Sequence, residues 1–290
     1  MDTMTDAVIR IRLMSLIVLG AGALVVWLLP SALAPTSSPY LAVHFFDVGQ
    51  GDAIFITTPE KTQALIDGGA TNAVLRELAA VMPLSDRTID VVIGTHPDTD
   101  HVGGLNDVLE RYEVGTILLT EATGDSLAAT EYERLVVAEG AEIIYARRGQ
   151  SIRLGASTTL AVLWPEVDPS EMESNQSSIV LNLQYGDTSF LLTGDAPKRV
   201  EEYLVLAEGE HLQSDVLKVG HHGSRTSTSE LFVTEVEPDY AVLSYGADNP
   251  YGHPHVEVTD ALFNAGVETL STAEAGTITF RSDGTEVWVD

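Results

Sequence analysis

The sequence predicts an α/β fold in which two sheets pack face to face and are covered by helices. Three observations carry that reading. Short runs rich in Val, Ile, Leu and Phe alternate with longer stretches of helical period along residues 40–290. The same rhythm fills both halves of that stretch, and sheets that each bury one face need a second layer. No linker-like segment divides the halves, so 40–290 reads as one domain. In order, Leu41–Phe46, Ala53–Thr57 and Gln63–Ile66 read as strands broken by Gly-rich turns, and Ala73–Val81 as a helix. Ile89–Thr95 is a short apolar run of the kind found in strands buried on both faces. Gly103-Gly104 then marks a turn into a helix over Leu105–Tyr112. Strands follow at Thr116–Thr120, Glu142–Tyr145 and Thr158–Trp164, with a helix at Ser126–Ala138. The second half continues with strands Ser178–Tyr185 and Ser189–Thr193, helix Pro197–Ala207, strand Val216–Val219 and helix Ser229–Thr234. Strand Tyr240–Ser244, helix Glu257–Ala265 and strands Thr277–Arg281 and Thr285–Val289 close the chain.

Composition narrows the chemistry. Hydrophobic residues make up 44% of the 290, enough for a sizeable core, which excludes global disorder. There is no cysteine, so a disulfide framework, a thiolate nucleophile and Cys-ligated zinc are all excluded. Any metal chemistry must use His, Asp and Glu. The 43 acidic residues against 15 basic ones give a net charge of −28, and only Lys61, Lys198 and Lys218 are lysines. So acidic a surface suits a medium in which salt screens self-repulsion, the Debye length being about 3 Å at 1 M. A halophilic source is expected.

The N-terminus has its own signature. Residues 13–29 carry no charge and follow Arg10 and Arg12. That length lies between a signal h-region of about 7–15 residues and a span of about 20. Residues 1–39 are therefore expected to hold a hydrophobic helix, a retained anchor or a cleaved signal, and a short Pro/Ser linker. Either way the positive-inside rule places 36–290 outside the cell. The expected location is the extracellular face of the membrane, or the medium.

The strongest chemical signal is Thr95-His96-Pro97-Asp98-Thr99-Asp100-His101, with four potential ligands within six residues just beyond an apolar strand. A loop can turn such groups towards one point, whereas a strand would send alternate ones to opposite faces. Ser189–Gly194 is an apolar strand stopping at Asp195, and Val216–Val219 runs into Gly220-His221-His222-Gly223-Ser224. Tyr251-Gly252-His253-Pro254-His255 adds two histidines, one of them expected at the site. His44, within a strand, and His211, in an acidic loop, read as structural or solvated.

The order His-x-Asp-x-Asp-His, Leu-Leu-Thr-Gly-Asp, His-His-Gly-Ser resembles the metallo-β-lactamase fold superfamily. Asp47–Ala53, Leu65–Gly69, Leu217–Ser224 and Gly252-His253-Pro254 resemble, more narrowly, the extracellular nuclease-like domain of the ComEC competence DNA-uptake family. That resemblance runs from about Val43 to Phe280 and implies a four-layer αββα sandwich. It implies two divalent metal ions. One would be held by Asp100, His101, Asp195 and His221 or His222, with His221 the preferred ligand and Asp195 bridging. The other would have His96, Asp98 and Asp195, with Asn175 near by. So oxygen-rich a set suits Mn²⁺ or Mg²⁺ better than a zinc site of three imidazoles, although Zn²⁺ stays a candidate. Gln50 and Asp52 would orient the ligands or a water. His222, Ser224 and His253 would act on the substrate, and Asp67 would be a supporting carboxylate.

The expected function is a metal-dependent hydrolase, an extracellular phosphodiesterase acting on DNA, since paired ions suit in-line displacement at phosphorus. The substrate would be single-stranded DNA, met on a local positive rim of Lys198, Arg199, Lys218 and Arg225. A membrane held through the N-terminal helix and a DNA-uptake channel are the expected partners. The alternatives are hydrolysis of another ester, such as a choline-phosphate or a lactone, and a non-catalytic DNA-binding module of an uptake system.

Overall fold

Leu41, Val43 and Phe45 of β1 (Leu41–Phe45) face one apolar layer, while Phe46, just past its end, faces another. The structure, a computed structural model, describes residues 39–290, so the expected N-terminal anchor or signal helix lies outside the described residues. Among the described residues no helix is long and apolar enough to cross a membrane. β2 (Ile54–Thr57), β3 (Gln63–Ile66), β4 (Thr88–Gly94), β5 (Glu113–Leu119) and β6 (Glu142–Tyr145) extend the first sheet on one side of β1. β14 (Ile278–Ser282) and β15 (Val287–Val289) complete it on the other, giving the order β15-β14-β1-β2-β3-β4-β5-β6.

The second sheet has seven strands. They are β7 (Ser151–Arg153), β8 (Thr158–Trp164), β9 (Val180–Tyr185), β10 (Thr188–Leu192), β11 (Val216–Lys218), β12 (Tyr240–Leu243) and β13 (Glu268–Ser271). They lie in the order β13-β12-β11-β10-β9-β8-β7. One cluster fills the space between the sheets, with Val43, Ile56 and Ile93 from one and Leu160, Leu181, Phe190 and Val242 from the other. The period of two sends the intervening residues outward. Phe55, Leu65 and Val92 meet α1 (Ala73–Val81), α2 (Thr99–Leu109) and α3 (Leu127–Glu139). Leu191, Leu217 and Ala241 meet α4 (Lys198–Glu208), α5 (Glu230–Val236) and α6 (Val256–Ala265). This is the four-layer αββα arrangement.

Strands β3 to β6 are parallel to one another, as are β10 to β13, and the loops that carry the histidines leave their C-terminal ends. Ligand sites of open α/β sheets gather at that edge.

Several elements differ from the sequence expectation. β7, β13 and a short helix, α7 (Thr272–Ala275), were not foreseen. They are only three or four residues long, too short to show a hydrophobic period. The Gly103-Gly104 pair does not turn the chain into a helix; both glycines lie inside α2, which already begins at Thr99. They are there for close approach. A Cβ on Gly104 would lie 2.0 Å from the Gly68 carbonyl oxygen, and one on Gly103 would lie 2.5 Å from that of Ala70. The contact locks α2 to the loop after β3 through Gly104 N–H to Gly69 O and Gly68 N–H to His101 O, both 2.8 Å.

Gly104→Ala should therefore lower the unfolding free energy by about 3 kcal/mol, since the obstructing atoms are backbone. Leu127→Ala, at a position 90% exposed, should change it by less than about 0.5 kcal/mol. Urea unfolding of the two variants checks this; an unshifted Gly104→Ala midpoint would contradict the packing account.

Candidate metal centre

His96 and His101 come from the two ends of one short segment. The chain leaves β4 through Thr95, bends at His96 and Pro97, is extended at Asp98 and enters α2 at Thr99. This brings the two imidazole centroids to 4.0 Å, both rings fully buried. His222 arrives from β11. Both His221 and His222 sit in the left-handed region, φ 49° and 54°, between Gly220 and Gly223. Two consecutive non-glycine residues there are strained, by about 1–3 kcal/mol each. The reversal turns His222 inward, and its ring lies 5.2 Å from that of His101.

Each buried ring is held by its Nδ1. His101 Nδ1–H donates to Asp67 Oδ2 at 2.7 Å, and His222 Nδ1–H donates to the Ser244 carbonyl at 2.9 Å. The Thr95 hydroxyl donates to Asp67 Oδ2 at 2.7 Å, which leaves its lone pairs to accept from His96 Nδ1–H at 3.0 Å. Those bonds place the proton of each neutral ring on Nδ1, so in that form all three Nε2 atoms carry the lone pair. All three are buried and have no hydrogen-bond partner, as is also true of Asp195 Oδ1. They converge on Asp195 Oδ2, at 4.0 Å from His96, 3.4 Å from His101 and 3.3 Å from His222. Unpaired buried acceptors are costly, and a cation satisfies such a set. The residues present therefore fit a metal centre.

Carboxylates surround it. Asp100 Oδ2 lies 3.4 Å from His222 Nε2, and Asp98 Oδ2 lies 3.6 Å from His96 Nε2. Asp98 is steadied by the Ser174 hydroxyl, which donates to its Oδ1 at 2.5 Å. Asp52, His101, Asp195 and His222 place ligand-type atoms within 4.8 Å of one another. Asp52, however, faces the Nδ1 sides of His222 and His101, at 3.4 and 3.9 Å, behind the rings. There it pairs with the Lys218 ammonium, which also donates to the Gly194 carbonyl at 3.0 Å and lies 3.7 Å from Asp195 Oδ1.

Lys218 is a correction to the expected positive rim. Val216 faces the layer between the sheets, so Lys218, two residues on, faces it too and is fully buried. Arg199 and Arg225 do stand at the surface, but beside Glu173 at 3.6 Å and Glu257 at 3.5 Å. Lys198, half-buried at the start of α4, is the one rim cation without such a pairing among the described residues. For Lys218 the signal in the sequence was a lysine set within an otherwise apolar strand.

Other expected site residues fall at varying depths. His221 is a quarter exposed; its Nε2 is 3.7 Å from Asp195 Oδ2, its Nδ1 is 2.9 Å from Thr226 Oγ1, and the Asn175 amide packs against its ring. His222, not His221, is thus the histidine enclosed with Asp100, His101 and Asp195. Ser224 accepts from the Thr226 hydroxyl at 3.0 Å and so stands one hydrogen bond removed from His221. Gln50 Oε1 accepts from Gly246 N–H at 3.4 Å, which ties its loop to the one after β12. His253 stands at the mouth, its ring 5.7 Å from His221 and 6.4 Å from His222, with Nδ1 buried and unpartnered. Burial and the neighbouring imidazoles push it down to about 4, so at neutral pH it is an uncharged ring. His255 instead accepts from the Arg225 backbone N–H at 3.2 Å. Thr95, Ser244 and Thr226 were not foreseen, because a hydroxyl or carbonyl that orients a ring has no spacing signature.

Without a cation, burial would depress the imidazoles of His101 and His222, but Asp195, joined by Asp67 for the first and Asp52 for the second, carries both well above the usual histidine value. For Asp195 burial works the other way, yet His222 and His101 hold it well below the usual carboxylate range. Protons thus stand in for part of the missing positive charge.

The sequence profile of the metallo-beta-lactamase superfamily matches residues 46–247, which span the whole of this cluster. The chain belongs to that superfamily. Among curated proteins, ComE operon protein 3 of Bacillus subtilis (strain 168) is 32% identical, covering 82% of this chain and 33% of that one. Competence protein ComA of Neisseria gonorrhoeae is also 32% identical, over 82% and 32%. The chain spans about a third of the length of these relatives. Of solved structures, the metallo-beta-lactamase fold protein YhfI from Bacillus subtilis superposes with a TM-score of 0.57 at 14% identity, covering 84% of this chain and 100% of that one. CmlA, a diiron beta-hydroxylase from Streptomyces venezuelae, gives 0.54 at 16% identity, over 86% and 55%. These two share the fold.

Elemental analysis of variants tests the geometry. His222→Ala should lose at least one equivalent of metal, whereas His221→Ala should retain more; the reverse order would contradict the placement. Metal must displace the protons on His101 and His222, so apparent affinity should climb as pH rises through neutrality and fall on acidification. A titration flat across that range would show that these rings are not ligands.

Proposed function

We propose that the chain is an extracellular, binuclear metal-dependent phosphodiesterase that cleaves single-stranded DNA. The observation that carries this is the convergence of three unpartnered imidazole Nε2 atoms and several carboxylates on Asp195. Asp195 is assigned to both metal positions, with Asp100, His101 and His222 at one and His96, Asp98 and His221 at the other. Asp52, Asp67, Asp98, Asp100 and Asp195 against the single Lys218 ammonium leave an excess of four negative charges with neutral imidazoles, which two divalent cations would cancel. When bound, such a pair supplies Lewis acidity at phosphorus and a nucleophile from water near neutral pH.

The chain's own groups do the rest. Asp67 and Thr95 fix the rings of His101 and His96, and the Ser244 carbonyl fixes that of His222. His253, at the mouth, offers a hydrogen bond to a non-bridging phosphate oxygen. The similarity to competence proteins supports DNA as substrate and a place in an uptake apparatus, with the N-terminal segment as the membrane attachment. With Arg199 and Arg225 beside carboxylates, phosphate contacts are few, and binding should be weak and strongly salt-dependent.

Full-length protein loaded with Mn²⁺ should cleave labelled single-stranded DNA in preference to duplex, and chelator should abolish it. His253→Ala should lower turnover more than it weakens binding, by about tenfold or more. Intact single strands together with rapid hydrolysis of a choline-phosphate ester or a lactone would overturn the nuclease reading.

A further inference from the structure

A cavity of about 300 Å³ opens beside the metal centre, between α3, the ends of β5 and β6, and the loop before α3. His96 and Pro97 form the wall it shares with the metal centre. Pro97 also borders the polar depression that contains Asp98 and Asp100, so the two hollows are neighbours across one residue. Three large apolar side chains that line it are exposed, Val137 (77%), Tyr145 (49%) and Ile143 (38%). Singly exposed apolar residues are ordinary, but three around one concavity mark a binding surface. Tyr132 lines the same cavity, its ring buried, and its hydroxyl is buried without a hydrogen-bond partner, against Gly94. Gly94 is what admits it, since a Cβ there would lie 2.6 Å from the hydroxyl oxygen.

Electrostatics select among occupants. Of the two carboxylates that line it, Glu121 is paired with Arg147 through two hydrogen bonds and Glu133 is exposed to solvent, so the cavity suits an uncharged aromatic group better than an anion. A free phosphate has no cation to meet among the residues lining the cavity. The fitting group is flat, mostly apolar and able to stack on Tyr145.

We propose that this cavity seats a nucleobase of the substrate strand, beside the phosphodiester held at the metal centre. The assignment rests on the phosphodiesterase reading and names its specificity element. It reads the face of a base rather than its hydrogen-bonding edge, so it favours unstacked, single-stranded substrate and tolerates any base. In duplex DNA the bases are stacked and unavailable to it.

The test uses full-length protein, a labelled ten-nucleotide single strand, and the same strand with abasic sites in place of every base. Anisotropy measures binding while a gel follows cleavage in the same samples. The base-bearing strand should bind about tenfold more tightly than the abasic one. Val137→Trp, at an exposed helix position, should fill the cavity and erase the difference. Equal affinity of the two strands for the unaltered protein, or a difference that survives Val137→Trp, would overturn the proposal. Base-dependent binding with no cleavage of either strand would overturn the nuclease reading and leave the cavity assignment standing.

Discussion

The buried ammonium of Lys218 is the constraint on which the site depends. Removing an ion from water costs several kcal/mol even after relaxation, and only close partners offset it. Lys218, on β11, has three: Asp52 from the turn before β2, and the Gly194 carbonyl and Asp195 from the loop after β10. One charge therefore gathers the loops of both sheets at a single point. It also lets carboxylates stay ionised in the interior, where burial alone would protonate them; Asp52 is held low against that tendency by Lys218 and His222. Taking the lysine away would leave Asp52 buried and unpaired.

Around that point the chain is held in conformations it would not choose by itself. His221 and His222 stay left-handed, and Gly103 and Gly104 bring α2 against the loop after β3 closely enough for His101 to reach Asp67. The outcome is one pattern repeated three times. Nδ1 is spent on a protein acceptor, and Nε2 is left facing the centre. Ring orientation is thus settled by folding, before any cation arrives, and an arriving ion finds ligands that need little rearrangement.

Much of this was legible in the sequence. The layered architecture followed from runs of period two and 3.6, and the stretch His96 to His101 announced itself by ligand density. What stayed hidden was whatever depends on contacts between distant segments. Glycines 103 and 104 looked like a turn because the pair is a turn signal, whereas the carbonyls they accommodate lie more than thirty residues away. His221 and His222 are equivalent as letters, and only the reversal of the backbone through both of them separates the quarter-exposed ring from the enclosed one. Lys218 looked like a surface cation flanking a motif. The alternation of its strand, read strictly, would have turned it inward.

The central claim is that the three Nε2 atoms and Asp195 form a preorganised metal centre. Anomalous diffraction from crystals of the full-length protein grown with Mn²⁺, recorded at the manganese edge, tests it most directly. The account predicts two peaks about 3.5–4 Å apart, with the Asp195 carboxylate between them. His96, His101 and His222 should bind through Nε2, with Asp52 and Lys218 still paired behind the rings. Ligation of His101 or His222 through Nδ1, or the absence of a peak within reach of Asp195, would contradict it.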